Sequence, residues 1–422
     1  MNKNVVFSIV SVNYLSYART LYSSLCEVED DSDFLLIVCD DDTPENVERV
    51  EATGLPHVFL SKLPINNHRA LAFKYDVVEL NTAIKPSVFL YLMEMGYKKL
   101  IYLDPDIRVY SPLDLLWMEL DSSESLVTPH ENTPCMDGLR SSDIDFLKNG
   151  VYNLGFIAFR ASESTREFIG WWRERCLYYG FNDLAFGTFV DQKWVNFITC
   201  FLDDVKILKH AGCNVAYWNL HERQLARAGS GWSVNGVPLV FFHFSGVKAD
   251  DSKTLSKHQN RHGVNGGDVL GLLLSEYCEE LIRHGWADLI GLQYGYGSFT
   301  DGSVVPRSAR RASAFLYEAS MGDPFQSGGR LHQLLLDKGV LSGRGSVAAT
   351  GKNAMNLDQE DIRIRMVTSL LKASIRVFGI ERVQLLLDYL RFVSRESNLA
   401  RVAFGRKFHL AHDEMHDSKV EH

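Results

Sequence analysis

The chain has 422 residues, 44 Lys and Arg against 53 Asp and Glu, a formal net charge of -9 and 46% hydrophobic residues. That balance, with 31 Gly and 11 Pro, excludes a collagen-like, low-complexity or disordered chain, and the acidic total argues against general nucleic-acid binding. No run of about 18 consecutive apolar residues occurs, so no bilayer-spanning segment is expected.

The apolar start Val5-Val6-Phe7-Ser8-Ile9-Val10 lacks a small-residue cleavage site and runs into Asn13 and Tyr14. It reads as a buried first strand rather than a secretory leader. Leu21 to Leu25 has helical spacing, and Phe34 to Val38 is a second apolar strand. After it, Thr43 is placed to cap a helix whose first position is Pro44. Tyr75 to Leu80 and Val88 to Met95 read as helices separated at Lys85-Pro86, and Lys99 to Leu103 as another buried strand. Leu154 to Phe159 is strand-like, and Ser164-Thr165-Arg166-Glu167 reads as a capping box opening a helix through Cys176. Asp191 is placed to cap the next helix, and Leu239 to Phe242 is a last buried strand. Strands alternating with helices predict an α/β fold, a mainly parallel sheet covered on both faces.

The character changes near residue 250, which sets the expected boundary between a catalytic domain (1–250) and a mostly helical C-terminal region (251–422). Helical patterns cover 268–284, 358–378 and 380–393, and Ser342 to Gly351 reads as a loose Gly/Ser linker. Residues 352–407 hold eleven Lys or Arg and six Asp or Glu, a local +5. Ile362, Met366, Leu370 and Val377, interleaved with Arg363, Arg365, Lys372 and Arg376, form a basic amphipathic pattern. It suits a peripheral membrane contact or a homodimer face. Seven cysteines, odd in number and without C-x-x-C, are expected to be reduced core residues of a cytoplasmic protein.

Two segments carry chemistry. In Tyr102-Leu103-Asp104-Pro105-Asp106-Ile107 two carboxylates stand at i and i+2, on one side of an extended chain. Pro105 cannot donate to a sheet ladder, which puts the pair at a strand end. There the acids repel each other unless a hard divalent cation lies between them. In Phe241-Phe242-His243-Phe244-Ser245-Gly246-Val247-Lys248 a histidine follows an apolar run. It is a candidate third ligand, Gly246 a close approach for a phosphate, and Lys248 its counter-charge.

In order and spacing, several elements between residues 5 and 250 resemble the metal-dependent GT-A glycosyltransferases, most closely the retaining family-eight type. They are Asn13-Tyr14, Asp40, Asp104-Pro105-Asp106, Asn153-Leu154-Gly155, Asp191-Gln192, the stretch from Asn214 to Asn219, and His243-x-x-Gly246. The resemblance implies that Asp104, Asp106 and His243 hold Mn2+ (or Mg2+) on the diphosphate of a nucleotide sugar, with UDP favoured. It implies that Val12, Asn13, Tyr14 and Asp40 line the base and ribose pocket. By the same resemblance Asn153 and Gly155 contact sugar, and Asp191 and Gln192 lie near the reacting carbon. The family pattern continues H-x-x-G-x-x-K-P-W, whereas Lys248 stands one residue early and no Pro-Trp follows. The phosphate cation is therefore open among Lys248, Lys257 and Arg261. Phe73 to Ala83 with Lys85-Pro86 is also similar to bacterial polysaccharide glycosyltransferases, with Lys74, Asp76 and Lys85 as candidates facing the donor.

The expected activity is hexosyl transfer from a nucleotide sugar to a saccharide or lipid-linked glycan acceptor. Trp171, Trp172, Tyr217, Trp218 and Trp232 are candidate sugar-stacking rings. Retention is favoured by the resemblance, and Asp191 would be the general base in an inverting enzyme. A sugar nucleotidyltransferase is the alternative, but it needs a Gly-rich loop after the first strand, where Ser11 to Tyr17 has no glycine. A non-catalytic glycan-binding protein is the other alternative, and intact Asp104, Asp106 and His243 argue against it. No G-x-S-x-G motif is present, and Gly229-Ser230-Gly231 and Gly295-Tyr296-Gly297 do not continue to G-x-G-x-x-G.

Overall fold

The computed structural model describes residues 4–28, 32–229, 231–341 and 362–394. They form two compact units, one from Met1–Leu71 with Val77–Tyr296 and one from Ala72–Asp76 with Gly297–His422. The strands are β1 (Asn4–Val10), β2 (Asp33–Val38), β3 (His57–Phe59), β4 (Lys99–Leu103), β5 (Ile107–Val109), β6 (Ser125–Pro129) and β7 (Tyr152–Arg160). They continue with β8 (Asn182–Asp183), β9 (Thr188–Phe189), β10 (Val205–Ile207), β11 (Leu225–Ala228), β12 (Gly231–Val234), β13 (Val237–Pro238) and β14 (Phe241–His243).

The first unit is a mixed α/β layer structure around a seven-stranded sheet in the order β10-β6-β7-β4-β1-β2-β3. Neighbours are parallel except where β7 runs antiparallel to β4 and β6. β1, β4 and β7 are buried over nearly their whole length, because helices cover both faces and alternation of polar residues has no place there.

Side chains of alternate residues sort onto the two faces. Val6, Val10, Ile101, Leu103, Phe156 and Ala158 join a hydrophobic core with Leu15, Ala18 and Leu21 of the helix Leu15–Glu27. The opposite face is aromatic: Phe7 lies 5.2 Å from Tyr102 and 4.7 Å from Phe89, and Phe89 lies 5.0 Å from Phe159. Phe89 belongs to the helix Lys85–Glu94, which opens with Pro86 and packs beside the helix Glu163–Tyr179. Burying each such ring contributes roughly 1.5–3 kcal/mol.

Several expectations are corrected. The helix Glu163–Tyr179 is capped by Ser162, paired reciprocally with Thr165, not by Ser164 and Glu167. Asp191 precedes a 3-10 helix (Gln192–Phe197) without capping it by its side chain, because that carboxylate is engaged elsewhere. All seven cysteines are free, but Cys26 and Cys200 are exposed and Cys135 is half-buried, so three of them are not core residues. Thr43 does cap the helix Pro44–Glu51, accepting from the Asn46 N–H.

Residues 251–296 lie in the first unit. The helix Val269–Arg283 buries Leu273, Leu274, Tyr277 and Leu281 in a core shared with Trp232, Phe242 and Phe244. In the second unit, Arg310 donates to the carbonyls of Ala72, Phe73 and Tyr75 at 3.0, 3.1 and 2.8 Å. It thereby satisfies acceptors that the end of a helix leaves open. The helices Ile362–Phe378 and Ile380–Val393 follow in the same unit. The stretch 342–351, the expected helical residues 358–361 and residues 408–422, with one Lys against four Asp or Glu, lie outside the described residues. Among the described residues no helix is long and apolar enough to cross a membrane.

Candidate functional site

The ends of three adjacent parallel strands build one edge of the sheet. β1 ends before Val12–Tyr14, β2 before Asp40, and β4 before Asp104. Beyond the carboxyl ends of parallel strands is where α/β sheets bind ligands. The chain does not stop at Asp104. It turns through Pro105, with Ile107 N–H donating to Asp104 O at 3.0 Å, and continues as β5.

β5 pairs antiparallel with β14, setting His243 opposite Ile107. Phe244 N–H donates to Asp106 O at 2.8 Å and His243 N–H to Val215 O at 2.8 Å. This short ladder carries the late histidine to the acid pair. His243 Nε2 lies 3.0 Å from Asp106 Oδ1 and 3.7 Å from Asp104 Oδ2. One ligand atom from each of the three residues falls within 4.8 Å of the others. The imidazole is 4% exposed, whereas the acids keep 30% and 21% of their side-chain surface, which leaves the cluster open on the carboxylate side.

The electrostatics are strained. Burial pushes the Asp104 carboxyl up and Asp106 adds to the rise, while Lys85 and His243 pull against it. Burial would lower the His243 imidazole, but the Asp106 and Asp104 carboxylates outweigh it and hold His243 above its ordinary value. Two carboxylates and an imidazole converging on one point are a donor set suited to a hard divalent cation such as Mn2+ or Mg2+.

Gly155 and Asn153 on β7 serve this cluster from behind. A Cβ at Gly155 would lie 2.3 Å from His243 Cε1 and 2.5 Å from its Nδ1, so the histidine ring occupies the space a side chain would need. Asn153 Oδ1 accepts from Gly155 N–H and from Asn214 Nδ2, both at 3.1 Å. Trp218 meets the His243 ring edge-on at 5.1 Å. Gly155, which gives the His243 ring its space, and Asn153, bonded to Gly155 and Asn214, thus stand directly behind the cluster.

Lys85 and Asp191 are brought together, but inside the protein. Lys85 Nζ lies 2.7 Å from Asp191 Oδ2, each side chain 2% exposed. It also donates to Leu154 O at 2.9 Å and sits 4.1 Å over the Tyr102 ring. Burial raises the Asp191 carboxyl, with Lys85 opposing. Trp172 Nε1–H donates to Asp191 O at 3.1 Å. Gln192 accepts from Leu154 N–H through Oε1 and donates to Asn149 O through Nε2, both at 3.0 Å. Lys85 is thus enclosed by Asp191, Leu154 and Tyr102.

Asp40 is likewise internal. Its oxygens accept from Val12 N–H at 3.0 Å, Gly295 N–H at 2.8 Å and Asp41 N–H at 2.9 Å. Val12 is buried, and Asp40 braces the turn after β1. Tyr14 is the open member of that turn, 38% exposed and stacked on Tyr17 at 4.7 Å. Burial and then the Asp106 charge raise its phenol, which puts Tyr14 within electrostatic reach of the cluster. Asn13 accepts from Ser11 Oγ at 2.6 Å.

The cationic candidates do not converge. Gly246 has φ +80 and packs against Ser256 and His258, and Lys248 beyond it is exposed. Lys257 is exposed too. Arg261 closes its fork on Asp137 at 2.6 and 2.9 Å and donates to Ser141 O, so its guanidinium is spent on that loop. Lys74 belongs to the second unit, where its ammonium lies 4.9 Å from the Tyr75 ring centre. Of the expected stacking rings, Trp172, Trp218 and Trp232 are buried. Sequence reasoning missed Tyr102, whose hydroxyl donates to Asp104 Oδ1 at 2.5 Å. It also missed His130, whose ring nitrogen lies 3.3 Å from Asn153 Nδ2.

No protein-family model matches the chain. The uncharacterized protein YfnF of Bacillus subtilis (strain 168) is 26% identical over 247 residues, 57% of this chain and 80% of that protein. YfnD of the same organism, also uncharacterized, is 21% identical over 306 residues, 72% of this chain and 94% of that protein. Similar solved structures include the galactosyltransferase LgtC in complex with donor and acceptor sugar analogues (TM-score 0.39, 16% identity, 65% of this chain and 95% of that one). Another is the bifunctional glycosyltransferase WbbM (TM-score 0.41, 13% identity, 68% of this chain and 50% of that one). A third is mouse xyloside xylosyltransferase 1 (TM-score 0.37, 12% identity, 57% of this chain and 98% of that one).

Proposed function

We propose that this protein is a glycosyltransferase that moves a sugar from a nucleotide diphosphate, favoured to be UDP, to a saccharide or lipid-linked glycan acceptor. The observation that carries the reading is the convergence of Asp104, Asp106 and His243 beyond the carboxyl ends of β1, β2 and β4. A cation held there supplies charge stabilisation to the diphosphate leaving group. Asp104 and Asp106 would hold it from their open side, and His243 would supply the buried nitrogen. Tyr14, exposed beside Asp106, is the ring offered to the nucleotide, and Asn13 flanks it. Val12 and Asp40 fix that turn. Lys248 and Lys257 are the exposed cations left for the phosphates, since Arg261 is closed on Asp137.

The buried position of Asp191 favours retention. A general base must reach an acceptor hydroxyl, and the Asp191 carboxylate is closed on Lys85. Asp191 and Gln192 instead act from within, Asp191 holding Lys85 and Gln192 bracing Leu154 and Asn149 beneath the expected reacting carbon.

Beyond the first unit, the helices Ile362–Phe378 and Ile380–Val393 expose Met366, Leu370, Val377, Leu385, Tyr389 and Leu390, between 50% and 73% each. Lys372, Arg376, Arg382 and Arg391 are exposed among them. Apolar surface flanked by cations complements an anionic lipid surface, and that is the occupant proposed, in keeping with a lipid-linked acceptor.

The functional reading is tested by incubating the full chain with a panel of nucleotide sugars, with Mn2+ or with chelator, and following nucleoside diphosphate release. Release from one donor that requires the metal is expected. Equal release in chelator, or none from any donor, would overturn it.

A further inference from the structure

The Lys85–Asp191 ion pair and the metal-ligand candidate Asp104 are joined by one side chain. Tyr102 is 3% exposed, on the aromatic face of the sheet. Its ring carries the Lys85 ammonium at 4.1 Å, and its hydroxyl donates to Asp104 Oδ1 at 2.5 Å. The two oxygens of Asp104 are thereby divided, since Oδ2 is the one that faces His243 Nε2 at 3.7 Å. The extended chain fixes the geometry: Tyr102 on β4 and Asp104 just past its end are two residues apart and point to one side. Phe7 packs on the ring at 5.2 Å, so the phenol has no room to swing away.

We infer that Tyr102 is a positioning residue for the cation centre. Its O–H fixes the Asp104 carboxylate in the rotamer that presents Oδ2 to the cation, and withdraws charge from Oδ1. The Lys85 ammonium holds the phenol in place from the other face. Partners of this kind, which orient a ligand without touching the metal, typically govern affinity by about 10- to 100-fold. The inference rests on the metal-centre reading and goes beyond it by assigning part of the affinity to a residue that touches neither cation nor substrate.

The test is Mn2+ binding to the purified full chain without donor, read from the electron paramagnetic resonance signal of free Mn2+. Wild type, Tyr102→Phe and Asp106→Asn are compared after their circular dichroism spectra are matched. Tyr102→Phe is expected to bind Mn2+ about 10-fold or more weakly than wild type, and Asp106→Asn not measurably. A Tyr102→Phe affinity within twofold of wild type overturns the inference while leaving the metal centre standing. No binding by wild type removes both. A second measurement needs no variant: with tyrosine labelled at 13Cζ, Mg2+ titrated into the wild-type chain shifts the Tyr102 resonance. A resonance unmoved at saturating Mg2+ counts against the inference in the same way.

Discussion

The ring of His243 occupies the volume above Gly155 so closely that a single methyl group there would stand 2.3 Å from the histidine Cε1. One glycine on β7 and one histidine on β14, distant in sequence, thus define each other. Gly155→Ala forces the imidazole off its rotamer. A stability loss of about 1–3 kcal/mol is expected from the overpacking, together with weakened Mn2+ binding. Urea unfolding and a Mn2+ titration measure the two, and an unchanged metal affinity would show that the ring is not held where the cation needs it.

The Lys85–Asp191 pair invites a double-mutant cycle. Removing one partner leaves a buried charge unpaired, so Lys85→Met should cost about 3–5 kcal/mol. The double variant Lys85→Met with Asp191→Leu should regain most of that. Additive losses in chemical denaturation would mean that the two side chains do not act as a unit.

These residues also show what was legible in the amino-acid order. The run Lys99 to Leu103 followed by Asp104-Pro105-Asp106 announced a buried strand ending in paired acids, because sheet burial and the limits of proline act locally. The partnership of His243 with that pair depends on β5 meeting β14, a contact that no local pattern encodes. Lys85, next to a proline, read as a candidate facing the donor. Its burial follows from Asp191, which only the folded chain brings beside it. Asp40 had the right place at the end of β2, yet three backbone N–H groups claim its oxygens. Tyr102 looked like one more apolar strand residue, since a hydroxyl at the end of a ring leaves no trace in the hydrophobic pattern.

His130 supplies a pH dependence. It stacks on Phe146 at 4.7 Å, and burial lowers its imidazole to about 4, with its Nδ1 against Val151 O. The unfolded chain, with an ordinary value near 6.5, takes up a proton before the folded one does. Stability therefore rises with pH across this window and is lost as pH falls from about 6.5 towards 4, by about 3 kcal/mol for this group. His130→Gln should flatten the curve of unfolding free energy over that interval. An unchanged slope would show that His130 is not kept neutral by the fold.

For the C-terminal helix pair, co-sedimentation with phosphatidylglycerol vesicles at low salt is expected, and it should fall as salt screens the cations. Leu385→Glu with Leu390→Glu should abolish it. A concentration-dependent dimer in sedimentation, with no vesicle binding, would assign the face to a second copy instead.

The cation centre itself is reached most directly by calorimetric titration of UDP into the full chain, with Mn2+ and with EDTA, for wild type and His243→Ala. Binding that needs Mn2+ in wild type and vanishes in His243→Ala is the expected result. UDP bound equally well in EDTA, or retained by His243→Ala at wild-type affinity, would contradict a diphosphate gripped through Asp104, Asp106 and His243.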